Sequence, residues 1–414
     1  MGKIKRCMLF WLFLSVLAAC GGQEAATGFS KDDLLMDFDY LWVTLEENFP
    51  SLEAFDQADY GPQTDWRAWR DQQRQFLKDW EGTHLSHLEA ARFFNETLLH
   101  FSIRGHLYLY SPETISNFLA ASARGSMSLQ LMAQKLNQPA VQEFYETLAA
   151  ELEQEQLTMV SILPPTLAEF LDRDFEIWVE NDVAYLRFSS FLLADFDDLF
   201  EFHQLFHQSL TEAAAADHLI IDIRNNMGGN SFFGMMLMEA FWQEPLSWEF
   251  MRMTQMGGIN RHFADVGSLN WQVQYENTAE NRARFGIENL YVDHLDYILI
   301  EEIQLANQPE SAIGFTGDVW LLTDGGFSAA DWFAHAAKTS GFATLVGRPG
   351  GGSGIILPSK LFILPQTGMA ISYDSTIGFN DDGTVNTIIG VSPHILLEEG
   401  QDALDYLLDL IKRD

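Results

Sequence analysis

The segment from residue 317 to residue 354 constrains the fold more than any other part of the chain. A short apolar run at 319–323 precedes the turn-forming sequence Asp-Gly-Gly. In the next segment, at 329–338, apolar side chains recur at helical spacing, and a further apolar run leads to a glycine-rich loop at 350–354. The pattern predicts a strand, a turn, a helix, a second strand and a loop.

Ser328 stands at the N-cap of the predicted helix, directly after the turn. Serine is favoured there because its side chain can accept a hydrogen bond from a backbone N–H, which requires no further function. A serine on a sharp strand-to-helix turn also projects its hydroxyl away from the sheet. The amide of Ala329 and the positive end of the helix can then face a developing oxyanion. The local sequence leaves two hypotheses open, a capping residue and a nucleophile.

Strands alternate with helices in the C-terminal part of the chain. The segments 182–191 and 218–224 have the composition of strands, and a long helical segment lies between them. A glycine pair, Gly228 and Gly229, follows the second strand. The alternation predicts a mixed α/β (α+β) core, with a sheet covered by helices, over residues 174–414.

The N-terminal half is predicted to be mainly helical. Residues 29–112 contain amphipathic helical segments and end in a turn that carries His106 before a short alternating strand. Residues 113–173 form a predicted helical insert without the pattern of a PDZ module. Residues 246–310 show no clean periodicity, which favours an irregular excursion over a substrate-facing lid.

The first 19 residues are predicted to be a signal peptide. Basic residues precede an apolar run of 12 residues at 8–19, which is too short to span a bilayer. Small residues come just before Cys20 and two glycines follow it, a pattern that resembles the bacterial lipoprotein box. We expect cleavage before Cys20, lipidation of its thiol and a tether at 20–28. A cysteine within an ordinary signal sequence is the alternative.

The net charge limits the classes of partner that the protein is expected to bind. The formal net charge is −35, and the acidic residues are spread along the chain. Such a surface repels nucleic acid and anionic lipid headgroups, so neither is expected as a partner.

The cysteines and histidines limit the covalent and metal chemistry that is expected. Loss of Cys7 with the signal peptide would leave Cys20 as the single remaining cysteine, which excludes a disulfide framework. The histidines do not follow spacings such as His-Glu-x-x-His, so we expect no metal and no cofactor.

Six motifs follow one another along the chain: SIRGHLYLY, DVAYLRFSSF, LIIDIRNNMGG, GFSAAD, LVGRPGGG and GVSPHI. In this order and rough spacing they resemble the tail-specific, or C-terminal-processing, serine peptidases and the core of the tricorn protease. The resemblance covers most of residues 30–400. It implies a crotonase-like spiral αββ core of the kind shared with the Clp-type peptidases.

The resemblance also implies roles for individual residues. Ser328 would be the nucleophile and His106 the general base. Ala329, together with Gly228 or Gly229, would donate N–H groups to the oxyanion. A serine hydrolase requires these three ingredients: a hydroxyl, an imidazole within hydrogen-bond range and backbone donors.

Some positions depart from the family pattern. One branch of the family has a lysine 25 residues after the serine, where this chain has Ser353. Lys338 follows the serine by ten residues, about 15 Å along a helix, and Lys360 lies beyond the loop. We therefore expect a histidine base. Arg104 replaces an aspartate two residues before His106. One interpretation is that a cation there favours the neutral imidazole that a base needs, and the other is that Arg104 pairs with an acidic neighbour and has no chemical role.

The acid that would orient His106 is not identified by the motifs. The family's glutamate aligns with Thr387, so that carboxylate is missing. Asp374, Asp381 and Asp382 are the candidates in the surrounding segment, and each is of a residue type common in turns.

The sequence therefore predicts a lipid-anchored serine peptidase outside the cytoplasm, on the periplasmic side of the outer membrane if the source is Gram-negative. Its expected substrates are peptides or unfolded proteins. Two alternatives stay open. One is a catalytically inactive relative that binds peptides or hydrophobic ligands in the same cleft, and the other is an esterase or amidase with the same acyl-enzyme chemistry.

Overall fold

The computed structural model describes residues 28–56, 65–101, 104–122, 127–159, 164–193, 196–210, 212–265, 273–287 and 290–413. The predicted signal peptide, Cys20 and all but the last residue of the tether lie outside these ranges. Across the described ranges, no helix combines the length and the apolar character needed to cross a membrane.

The helices of the described residues are α1 (Lys31–Asn48), α2 (Trp66–Asp79), α3 (His87–Leu99), α4 (Pro112–Ser122), α5 (Met127–Leu136), α6 (Pro139–Gln154), α7 (Leu167–Arg173), α8 (Phe196–Ser209), α9 (Phe232–Ala240), α10 (Gly258–Asp265), α11 (Ala279–Arg284), α12 (Ala329–Thr339) and α13 (Ala403–Ile411). The strands are β1 (Phe29–Ser30), β2 (His84–Leu85), β3 (Tyr108–Leu109), β4 (Phe175–Glu180), β5 (Val183–Phe188), β6 (His218–Asp222), β7 (Leu246–Thr254), β8 (Val273–Glu276), β9 (Tyr297–Leu305), β10 (Asp318–Thr323), β11 (Thr344–Gly347), β12 (Lys360–Ile363), β13 (Ala370–Tyr373), β14 (Thr376–Phe379) and β15 (Ile395–Leu396).

The N-terminal helices begin at well-defined caps. Ser30 and Asp33 form a capping box at α1, and Ser86 and Glu89 form one at α3, so backbone N–H groups at both helix starts are satisfied. The apolar faces of these helices pack into a core that also contains residues between 253 and 388. The N-terminal helices and the C-terminal strands therefore share one core.

A six-stranded sheet in the order β15-β11-β10-β6-β5-β4 forms the centre of the C-terminal part. Neighbouring strands are parallel, except that β4 is antiparallel to β5. Helices α8, α9 and α12 cover one face and α13 covers the other, which explains the apolar runs of β6 and β10. The predicted mixed α/β fold is confirmed. Because parallel strands end at the same edge, the segments after β6, β10 and β11 come together there.

A three-stranded antiparallel sheet, β12-β13-β3, pairs a strand of the N-terminal part of the chain with two strands of the C-terminal part. Tyr108 of β3 pairs with Ser372 of β13. This pairing places the turn just before β3 next to the residues just after β13, although they are far apart in the sequence.

A four-stranded antiparallel sheet, β14-β7-β9-β8, takes three of its strands, β7, β8 and β9, from the segment for which we expected an irregular path. That expectation for residues 246–310 is wrong, because β7 and β9 pair along nine residues each. The start of β7 carries a period-two signal, in which Leu246, Trp248 and Phe250 are buried and the residues between them are exposed. The second half of β7 is mostly buried on both sides, which interrupts the alternation.

Candidate active site

Ser328 occupies a sharp elbow, residues 326–329, between β10 and α12. Its backbone has φ 55° and ψ −121°, a region that costs about 1–3 kcal/mol for a residue other than glycine. The amide of Ser328 donates to Gly352 O at 3.0 Å, which helps to hold this conformation. Ser328 is the N-cap residue, as the pattern predicts, but its side chain makes no capping hydrogen bond. The hydroxyl is therefore directed to another partner.

That partner is His106. Its Nε2 lies 3.0 Å from Ser328 Oγ, and its ring packs against Phe327 with 5.0 Å between the centroids. His106 belongs to a tight turn with Gly105, and both residues have positive φ. A Cβ at position 105 would lie 2.6 Å from the ring of Phe49, so the turn requires glycine.

Asp374 lies on the other side of the imidazole. Its Oδ2 is 2.9 Å from His106 Nδ1, its backbone N–H donates to Gly105 O at 2.8 Å, and its side chain is fully buried. Because a carboxylate can only accept, His106 carries its proton on Nδ1, and Nε2 is free to accept from Ser328 Oγ. Ser359 Oγ donates to the second carboxylate oxygen at 2.8 Å. Nothing in the sequence pattern pointed to Ser359.

The two other acidic candidates have different partners. Asp381 forms an ion pair with Lys338 at 2.9 Å. Asp382 accepts from the backbone N–H and the hydroxyl of Thr384 at 2.9 and 2.6 Å. Of the three candidates, Asp374 is the one that the structure brings to His106.

The turn formed by Gly228 and Gly229 lies against the elbow. Gly228 has a φ of +87°, and a Cβ there would lie 2.8 Å from the amide nitrogen of Ala329. The N–H of Gly228 already donates to Asn226 Oδ1 at 2.8 Å. In the described part of the chain, the N–H groups of Gly229 and Ala329 donate to no acceptor. Of the pair, Gly229 is therefore the glycine whose N–H has no internal acceptor among the described residues.

Ser353 occupies the position at which one branch of the family has a lysine, and it has a structural role in this chain. Ser353 is buried, and its Oγ accepts from the N–H of Gly105 at 3.2 Å, so it ties the His106 turn to the glycine loop. Lys338 is paired with Asp381. Lys360 is buried over the ring of Phe263, and burial lowers its pKa to about 8.

Arg104 begins the short helical turn that carries Gly105 and His106. Burial lowers the pKa of Arg104. Thr387 is fully buried, and its hydroxyl has no hydrogen-bond partner among the described residues.

Asp331, three residues after Ser328, fixes the loops behind the elbow. It is 1% exposed, and it accepts from Val391 N at 2.9 Å and from Asn386 Nδ2 at 2.6 Å. Burial raises its pKa to about 6. Glycine is needed at position 350, where a Cβ would lie 2.3 Å from the Asp331 carboxylate.

A cavity of about 590 Å³ opens beside Ser328 and His106. This volume is in the usual range for ligand sites. Apolar side chains from the N-terminal helices and the following strand form much of its wall, among them Leu88, Ala91, Leu99, Leu109, Leu152 and Met159.

A serine, a histidine and an aspartate linked in this order on an α/β core are typical of serine hydrolases. The sequence pattern described as Peptidase family S41 matches residues 182–397, just over half of the chain. The chain belongs to peptidase family S41, which confirms the resemblance noted in the sequence.

Individual relatives are distant. A protein of Chlamydia pneumoniae is 23% identical over an alignment of 248 residues, and the match covers 51% of this chain and 39% of that protein. The chain thus matches about two fifths of the length of that relative. The solved structure of mature CPAF in complex with lactacystin has a TM-score of 0.53 at 15% identity, over 92% of this chain and 98% of that one. The crystal structure of a protein from Parabacteroides merdae has a TM-score of 0.52 at 14% identity, over 92% of this chain and 97% of that one. At these identities the likeness establishes the fold.

Proposed function

We propose that the protein is a serine peptidase that cleaves peptide bonds through an acyl-enzyme on Ser328. The observation that carries the proposal is the continuous hydrogen-bond chain from Asp374 through His106 to Ser328, with distances of 2.9 and 3.0 Å. Family membership supports the same reaction.

In the first step, Ser328 Oγ attacks the carbonyl carbon of the scissile bond while His106 Nε2 takes the hydroxyl proton. The electron pair that moves onto the carbonyl oxygen is stabilised by the N–H groups of Ala329 and Gly229. The imidazolium then gives its proton to the leaving amine as the C–N bond breaks. Water repeats the sequence on the acyl-enzyme and releases the acid. Asp374 holds the imidazole in the required tautomer and stabilises the imidazolium.

We assign the enzyme to the tail-specific type, with peptides or unfolded proteins as substrates. The support is the order of the six motifs and the apolar cavity beside Ser328, which suits apolar side chains of an extended segment.

The test is hydrolysis of an unfolded, dye-labelled casein by the purified protein and by variants Ser328→Ala and His106→Ala. His262→Ala removes an exposed histidine outside the site and is the matched control. We expect cleavage by the wild type and the control, with loss in both site variants. Cleavage of p-nitrophenyl acetate without cleavage of any peptide would replace the peptidase with an esterase. A folded wild type that binds peptides and cleaves nothing would make it a binding protein.

We further propose that Cys20 carries a lipid anchor and that the protein acts outside the cytoplasm, on the periplasmic side of the outer membrane if the source is Gram-negative. The support is the basic, apolar and small-residue pattern that precedes Cys20. Mass spectrometry of the N-terminal peptide from membranes should find a diacylglyceryl group on the Cys20 thiol, and Cys20→Ser should lose it. An unmodified Cys20 in the membrane fraction would contradict the anchor.

A further inference from the structure

Helix α8 carries two histidines on one face, His203 and His207. Residues four apart are neighbours on a helix surface. Their Nε2 atoms are 3.1 Å apart, with 4.5 Å between the ring centroids. Both rings are partly exposed. The next aromatic neighbours are Phe232 beside His203 and Phe206 beside His207.

The separation of the two nitrogens fits adjacent ligands of one metal ion. With metal–nitrogen bonds of about 2.0–2.1 Å, a 3.1 Å separation corresponds to an N–metal–N angle of about 95–102°. This angle lies between the values for square-planar and tetrahedral coordination. We propose that His203 and His207 together bind one divalent transition-metal cation, of the Ni²⁺, Cu²⁺ or Zn²⁺ type, with water in the remaining positions.

The chemistry of the pair supports this assignment. With no cation present, one ring donates its Nε2 proton to the other, and metal binding requires only that both rings carry their proton on Nδ1. Across the described residues, neither ring makes a hydrogen bond to any third group.

The surroundings define an open surface site. The net charge of −35 favours the approach of cations. Within the described ranges, no group of three or more His, Cys, Asp or Glu side chains is arranged to hold a metal ion, so the pair alone supplies protein ligands. His203 and His207 have the same separation as the two histidines of His-Glu-x-x-His, but Gln204 replaces the glutamate, so the chain does not match that pattern here. This site is independent of the proposed peptidase activity.

The test is a calorimetric titration of untagged protein with Ni²⁺, Zn²⁺ and Mg²⁺. We expect one saturable Ni²⁺ site per chain and no binding of Mg²⁺, which prefers oxygen ligands. His203→Gln and His207→Gln keep a polar side chain of similar size. Each should weaken Ni²⁺ binding at least about tenfold, because changes to groups that only hydrogen-bond to a metal ligand already weaken binding by this much. His84→Gln, at an exposed histidine of β2, is the matched control and should bind as the wild type does.

Thermal unfolding provides a second readout. Saturating Ni²⁺ should raise the Tm of the wild type and of His84→Gln, because the cation binds the helical state preferentially, but not that of the double variant of His203 and His207. Tm values in EDTA verify that each variant is folded. Absence of saturable Ni²⁺ binding by the wild type, or full binding retained in the folded double variant, would overturn the assignment.

Discussion

The buried carboxyl of Asp331 should couple the stability of the fold to pH. Burial raises its pKa from 3.8 to about 6. The folded protein therefore holds this proton more tightly than the unfolded chain does. The resulting stabilisation is fully present below pH 3.8 and is lost as the pH rises through about 6. The difference between the two pKa values corresponds to about 3 kcal/mol in the free energy of unfolding.

Asp331→Asn isolates this contribution, because an amide cannot ionise while the other acidic residues titrate in both proteins. The free energy of unfolding is measured by urea titration with tryptophan fluorescence between pH 4 and pH 7. Unfavourable contacts between the new amide and Val391 N or Asn386 Nδ2 add an offset that does not change with pH. Relative to the variant, the wild type should lose about 2–3 kcal/mol in the free energy of unfolding across this range, because a small part of the stabilisation is already lost at pH 4.

The exposed residue Asp409 provides the matched control, since Asp409→Asn removes a carboxyl that stays in water. This variant shows how the loss of one surface carboxyl, away from Asp331, affects the same measurements. A constant difference between the wild type and Asp331→Asn, or one that grows in favour of the wild type as the pH rises, would show that the Asp331 carboxyl does not couple stability to pH in this way.

Three further predictions concern the geometry around the elbow. Asp374→Asn should lower kcat about 10⁴-fold in a folded protein, because an amide favours the wrong tautomer of His106. Gly228→Ala should lower the free energy of unfolding by about 1–3 kcal/mol and remove most activity, because its Cβ would lie 2.6 Å from Phe327 O at a φ of +87°. Ser359→Ala should lower kcat about 10- to 100-fold with little change in KM, because it removes a hydrogen bond to a charged group. Ser359→Thr keeps the hydroxyl and should retain activity.

Kinetics with a peptide substrate and urea unfolding measure these effects. Asp382→Asn changes a neighbouring carboxylate whose partner is Thr384, and its kcat should stay at the wild-type value. Wild-type kcat in Asp374→Asn, full activity in Gly228→Ala or equal kcat in Ser359→Ala and the wild type would each contradict the corresponding role.

The elements nearest Ser328 could be predicted because their signals are local. A short apolar run, a turn rich in glycine and a helical stripe specify β10, the elbow and α12 without reference to the rest of the chain. The strained backbone of Ser328 could not be read in the same way, since it depends on contacts with the glycine loop.

The choice of partners depended on long-range topology. Asp374, Asp381 and Asp382 are equivalent in the sequence, and the pairing of β3 with β13 decides which of them lies beside His106. Which of Gly228 and Gly229 has a free N–H for the proposed oxyanion hole also depends on a side-chain contact, because Asn226 Oδ1 accepts a hydrogen bond from the N–H of Gly228.

Mapping of a fluorophosphonate adduct by mass spectrometry locates the activated hydroxyl. We expect a single adduct on Ser328 of the wild type, none in Ser328→Ala and much slower labelling in His106→Ala, since the reagent reports an activated hydroxyl. A folded wild type without an adduct, or labelling of Ser328 at an unchanged rate in His106→Ala, would contradict this expectation.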